Sequence, residues 1–140
     1  MYRWDRGGYL LFGSAWTAVR PLNFPVFLAF RAMGARGDIH YKADIDEGLL
    51  ILHPDLGVVV SAAAVIGKNV VLTGGNCLGR RAGATDEPYI IGDDVQFGAN
   101  ATVIGPVTIG DRVTVGAGAV LLSNASDDAV LVGVPAKPTK

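Results

Sequence analysis

The sequence predicts an all-β chain wound into a parallel solenoid, and three observations predict it. Large apolar residues recur at every sixth position: Ile91, Phe97, Val103, Ile109, Val115 and Leu121 run without a slip. A period of six matches neither the 3.6 residues of a helix nor the alternation of a flat strand. The position four residues after an anchor is usually small or β-branched, as at Ala43, Ala64, Val70, Val95, Ala101, Val107, Val113, Ala119 and Ala125. Finally, 50% of the 140 residues are hydrophobic while 19 are glycine. Such a mixture suits many short buried strands joined by tight bends.

Residues 1–37 form an arm of different character. It holds eight of the eleven aromatics, namely Tyr2, Trp4, Tyr9, Phe12, Trp16, Phe24, Phe27 and Phe30. Arg3, Arg6, Arg20, Arg31 and Arg36 face Asp5 alone, so the arm carries +4 and the remainder −5. Asn23 reads as a helix N-cap with Pro25 just inside the start and Gly34 as the stop. Phe24, Phe27, Leu28 and Phe30 give that helix an apolar side. A helix of this kind is expected to cap the open end of a repeat core. The aromatic, basic composition also suits peripheral contact with a membrane surface.

Residues 38–140 form the solenoid. Ile39, Ile45 and Ile51 are in phase; after an interruption at HPDLG the period resumes at Val60, Ile66, Leu72 and Leu78. A second interruption, GRRAGATDEPY, precedes the unbroken series. One anchor per six residues means a short strand, a bend, and another strand facing the same interior. Three hexads carry the chain once round a triangle, and turns stack at ~4.8 Å. These anchors make about four coils. Glycine follows the anchor directly at Gly67, Gly92, Gly98, Gly110 and Gly116, where it is expected to supply the backbone angles of the corners.

Charge and composition exclude several classes. A net charge of −1 argues against bulk electrostatic binding of nucleic acid. Cys77 is the single cysteine, which suits a reducing compartment. No run of about 18 apolar residues predicts a spanning helix. Tyr9–Val19 lacks a clean small-x-small cleavage site after it, and a cytoplasmic protein is expected.

The hexads resemble those of the hexapeptide-repeat acyltransferases. That resemblance implies a left-handed parallel β-helix, a hand opposite to the general preference of parallel crossovers. The segment GDIHYKADIDEGLLILHPDLG is similar to the serine acetyltransferase stretch in which Asp-Ile-His opens the solenoid and a second His follows. The closing GVPAKP is similar to that family's Gly-Val-Pro-Ala-Arg/Lys, and the likeness covers roughly residues 38–137. The family's Asp lies fifteen residues before its catalytic His, as Asp38 does before His53. One coil is about eighteen residues, so these two would meet on adjacent turns.

By this resemblance, His53 is the general base and Asp38 orients its ring, with acetyl-CoA as co-substrate and no metal. Backbone N–H groups around Leu78–Arg80 are candidate oxyanion donors. His40 matches the family's first His and is a candidate for substrate binding. Ala99 in FGANA and Ala117 in VGAGA match positions where pantetheine meets the main chain, and Gly79 matches another. Arg80, Arg81 and Lys137 are candidates for the CoA phosphates. A homotrimer is implied as well.

The acceptor region departs from serine acetyltransferases. Leu52 stands where that family has Asp before the catalytic His, and Thr85-Asp86-Glu87-Pro88 stands in place of Asp-Arg-His-Pro. Asp86 and Glu87 are candidate acceptor-binding residues that would repel a carboxylate. The expectation is therefore acetyl transfer to a hydroxyl of a sugar or polysaccharide precursor. An amino-acid hydroxyl as acceptor, and a non-catalytic scaffold subunit, remain the alternatives. A γ-type carbonic anhydrase needs three histidines on zinc, and the sequence has only His40 and His53. Galactoside and maltose acetyltransferases place their catalytic histidine farther along, and no histidine follows His53.

Overall fold

Strands of two to four residues, each lying on the strand one coil earlier, build three flat walls. The computed structural model describes residues 9–11, 13–19, 25, 28, 37–81, 83 and 87–139. The first coil is β1 (Asp38–Ile39), β2 (Asp44–Ile45) and β3 (Leu50–Ile51); the second is β4 (Val59–Val60), β5 (Ala64–Ile66) and β6 (Val71–Leu72). The third is β7 (Cys77–Arg80), β8 (Tyr89–Ile91) and β9 (Gln96–Phe97). The fourth is β10 (Thr102–Gly105), β11 (Thr108–Ile109) and β12 (Thr114–Val115). A last partial coil holds β13 (Val120–Leu121), a bridge from Ala125 to Ile109, and β14 (Val130–Val132). The chain then turns back as β15 (Lys137–Pro138), antiparallel to β14.

Wall A has the order β1-β4-β7-β10-β13, wall B β11-β8-β5-β2, and wall C β15-β14-β12-β9-β6-β3. Register follows the six-residue period. Across wall A, Ile39 pairs with Val60, Val60 with Leu78, Leu78 with Val103, and Val103 with Leu121. Each anchor therefore lies on the anchor of the coil before it, and from Val60 to Leu121 this column is almost completely buried.

The corners correct one sequence expectation. The left-handed backbone angles of the B–C corner are carried by Asn69, Asp94, Arg112 and Asp128, with φ of 55°, 56°, 56° and 59°. Asn and Asp tolerate this region better than other non-glycine residues. Arg112 is held there by a two-pronged ion pair to Asp128, at 2.7 and 2.9 Å. That hydrogen bond holds the Asp128 carboxyl below its ordinary value.

Gly67, Gly92, Gly98, Gly110 and Gly116 do not have positive φ; their role is close approach. A Cβ on Gly92 would lie 2.8 Å from the carbonyl carbon and oxygen of Gly110. One on Gly67 would lie 2.8 Å from the carbonyl carbon of Gly92. Carboxylates bond across the same gaps: Lys68 N–H donates to Asp93 Oδ1 at 2.8 Å, Asp93 N–H to Asp111 Oδ1 at 2.8 Å, and Asp111 N–H to Asp127 Oδ1 at 3.1 Å.

Tyr9 of the arm meets Tyr41 of the first coil edge-on, ring centroids 5.3 Å apart, and Lys42 Nζ lies 5.8 Å from the Tyr9 ring. Trp16, in the short helix Trp16–Val19, is buried. The expected cap Asn23, stop Gly34 and aromatics Phe24, Phe27 and Phe30 lie outside the described residues; Pro25 and Leu28 are helical and exposed. Among the described residues no helix is long and apolar enough to cross a membrane.

Gly92→Ala is expected to destabilise the protein by about 1–3 kcal/mol, the usual range for forced overpacking, read as a fall in the thermal unfolding midpoint. An unchanged midpoint would contradict the close-approach role of this glycine.

Candidate active site

The first interruption leaves the stack at the corner between walls C and A. After β3, Leu52 and His53 lead into a 3-10 turn, Pro54–Leu56, with Pro54 at its first position. Proline suits that position because its φ is already set and its missing N–H would have no partner. Gly57 ends the turn with φ of 75° and donates its N–H to Pro54 O. Val58 follows, and Asp38 N–H donates to its carbonyl at 2.6 Å. Asp38 and the His53 loop thus share one corner on adjacent coils. Both side chains are exposed. Among the described residues no hydrogen bond joins them.

Below His53 lies the corner of the second coil. His53 N–H donates to Thr73 O at 2.9 Å, and Gly75 N–H donates to Gly57 O at 2.7 Å. Gly74 must be glycine here, because a Cβ would lie 2.7 Å from His53 O and 3.2 Å from His53 Cβ. The same corner continues downward: Asn100 N–H donates to Gly74 O at 2.9 Å, and Gly118 N–H to Ala99 O at 2.8 Å. Ala99 and Ala117 are consequently neighbours one coil apart. Lys137, exposed and paired with Val132, lies toward the far end of this corner.

The other candidates cluster at the opposite edge of wall A. His40 follows β1 there; its Nδ1 accepts Lys42 N–H at 3.1 Å and its ring stacks on Tyr41 at 4.6 Å. Gly79 and Arg80 pair with Ile104 and Gly105, and Arg81 N–H donates to Gly105 O at 3.1 Å. The second interruption leaves at this edge. Glu87, near its end, is exposed, and Asp86 lies outside the described residues. Wall A is therefore flanked by the two interruptions. Across it runs the aligned row Asp38, Val59, Cys77, Thr102 and Val120. Among the described residues no three His, Cys, Asp or Glu side chains gather as a metal site requires.

Two buried residues at these edges break the rule of small side chains after the anchor. Asn76 is 1% exposed below the His53 loop, and Tyr89 is 0% exposed at the end of the second interruption. Tyr89 fits because Gly105 lies beside it; a Cβ on Gly105 would come within 2.8 Å of Tyr89 Cβ. Its hydroxyl donates to Leu78 O at 2.6 Å and accepts from Ser61 Oγ at 3.2 Å. The pairing of a tyrosine with a glycine sixteen residues on was the available signal for this site.

Residues 88–123 match the family described as bacterial transferase hexapeptide (six repeats). A serine acetyltransferase from Mycobacterium tuberculosis is 36% identical over 134 residues, covering 94% of this chain and 52% of its own length. The chain carries the hexapeptide repeat of this transferase family. Soybean serine acetyltransferase, solved in complex with serine, superposes with a TM-score of 0.75 at 36% identity over 96% of this chain and 54% of that one. A serine acetyltransferase solved in complex with CoA gives 0.77 at 29% identity, over 99% of this chain and 54% of that one. The hexapeptide solenoid is accordingly a left-handed β-helix. The chain spans only about half the length of these proteins.

Burial pushes the Tyr89 phenol above its ordinary value, with the Ser61 hydrogen bond opposing the rise. The folded state then holds this proton more tightly than the unfolded chain. Its contribution to stability is complete below about pH 10, the ordinary phenol pKa, and is lost as pH rises through the folded value. Tyr89→Phe should cost about 1 kcal/mol near neutrality. It should also flatten the fall in unfolding midpoint above about pH 10. Identical alkaline profiles for the two proteins would refute the assignment.

Proposed function

We propose that this solenoid catalyses transfer of an acetyl group from acetyl-CoA to the hydroxyl of a serine-like amino acid. The observation that carries the reading is the C–A corner, where the His53 loop and Asp38 share one edge above the Ala99–Ala117 stack. The likeness to serine acetyltransferases, some solved with serine or CoA, supports it.

In this reading the acceptor hydroxyl gives its proton to the His53 imidazole as its oxygen attacks the thioester carbonyl. Asp38 moves onto the other ring N–H, fixing the tautomer and stabilising the imidazolium. Such hydrogen bonds commonly tighten only when substrates are bound. Collapse breaks the carbon–sulfur bond, and the imidazolium returns its proton to the departing thiolate. The products are the O-acetyl ester and free CoA thiol. Small residues at Ala99 and Ala117 leave the main chain open to pantetheine, and Lys137 adds positive charge at the far end of that corner. A trimer, in which a neighbouring copy closes this channel, belongs to the same proposal.

For the acceptor, the sugar expectation rested on Leu52, Asp86 and Glu87. The serine acetyltransferase relatives favour the amino-acid alternative and lend the polysaccharide branch no support. Arg80 and Arg81 bring positive charge to the edge where Glu87 lies, across wall A from the His53 corner.

His53→Ala should lower kcat at least ~100-fold, the lower end of general-base contributions, and Asp38→Asn should lose as much or less. Full acetyl transfer by His53→Ala would refute the site. Thiol release from acetyl-CoA should be faster with serine than with simple sugars or nucleotide-sugars. A faster sugar would restore the glycan reading.

A further inference from the structure

Asn76 is the one amide inside the prism among the described residues, 1% exposed. It stands four residues after Leu72, in the slot that alanine or valine takes in most other hexads. A buried amide left unpaired is costly, but this one is fully engaged. Its Oδ1 accepts Gly74 N–H at 2.9 Å, and its Nδ2 donates to Gly98 O at 2.8 Å and to Ala101 O at 3.4 Å.

Those partners belong to the two corners that matter for the proposed reaction. Gly74, with φ of 141°, lies directly under the backbone of His53. Gly98 and Ala101 bracket Ala99, where pantetheine is proposed to pass. The next coil down shows what the plain solution looks like. Ala101 fills the equivalent slot there, four residues after Phe97, and that corner carries no histidine loop. An apolar side chain therefore suffices to close a corner. The amide adds a link between the support of the base and the donor channel.

We infer that Asn76 is a positioning residue: it fixes His53 in height and angle relative to the Ala99 corner. This rests on the reading of His53 as the base. Small misplacements of a catalytic group cost rate more than binding.

The test is steady-state kinetics of acetyl transfer by Asn76→Val, the slot's ordinary occupant, and by Asn76→Ser. Val113→Ala serves as a control, being a buried deletion at the B–C corner away from the site. Each is assayed well below its own unfolding midpoint, with His53→Ala alongside. The Asn76 variants should lose about tenfold or more in kcat with a smaller change in KM for acetyl-CoA. Val113→Ala should lose stability but keep kcat within about twofold. A folded Asn76 variant with wild-type kcat, beside an inactive His53→Ala, overturns this inference and leaves the base assignment standing. An active His53→Ala overturns the base assignment itself. Failure of both Asn76 variants to fold would make the residue purely structural and also overturn the inference.

Discussion

The structure depends on how closely one coil is allowed to approach the next at its corners. Most wall strands pair over only two residues, too few to hold a sheet unaided, so the corners carry backbone bonds as well. At the B–C corner Asn69 N–H donates to Glu47 O, Asp94 to Lys68, Arg112 to Asp93 and Asp128 to Asp111, between 2.8 and 3.0 Å. These bonds form only if nothing projects between the turns. Glycine after the anchor removes the obstacle, and aspartate carboxylates take up N–H groups that would otherwise be left over. The apolar column inside and the polar ladder outside are two results of the same spacing.

That constraint also says where chemistry can be added. Residues inserted within a wall would break the register of every later coil. The interruptions instead leave at corners, and the pairing resumes as before: β4 lies on β1, and β8 on β5. Both flank wall A, with the partly exposed row from Asp38 to Val120 between them. His53 gains its place from an interruption, while its support comes from the unbroken stack beneath it. A loop carried on a rigid column is a common way to combine access with accuracy.

What the sequence made legible follows from this geometry. The anchors, the walls and both interruptions are local in the chain, so counting by six found them. Asp38 and His53 were placed on one corner because fifteen residues is close to one coil. The roles of Gly92, Asn76 and Tyr89 were not legible, because their partners lie on neighbouring coils at separations set by loop lengths as well as by the period. Gly67 pairs its corner with Gly92 across 25 residues, whereas Gly92 meets Gly110 across 18. Reading the post-anchor glycines as hinges failed for that reason: the need is seen only from the turn below. For the acceptor, Leu52, Asp86 and Glu87 point away from a carboxylate, whereas the likeness to serine acetyltransferases extends over most of the chain.

The reversed strand β15 bears on how such a column ends. Among the described residues it is the outermost strand of wall C, where a parallel stack would otherwise present a template to another molecule. Thr139 N–H donates inward to Val130 O at 2.8 Å. By the alternation of antiparallel pairs, Pro138 then turns its nitrogen outward. A proline there offers no hydrogen to an incoming strand. The reversed strand thus makes this edge of wall C a poor template for an added strand, a hazard for any protein built from self-complementary layers.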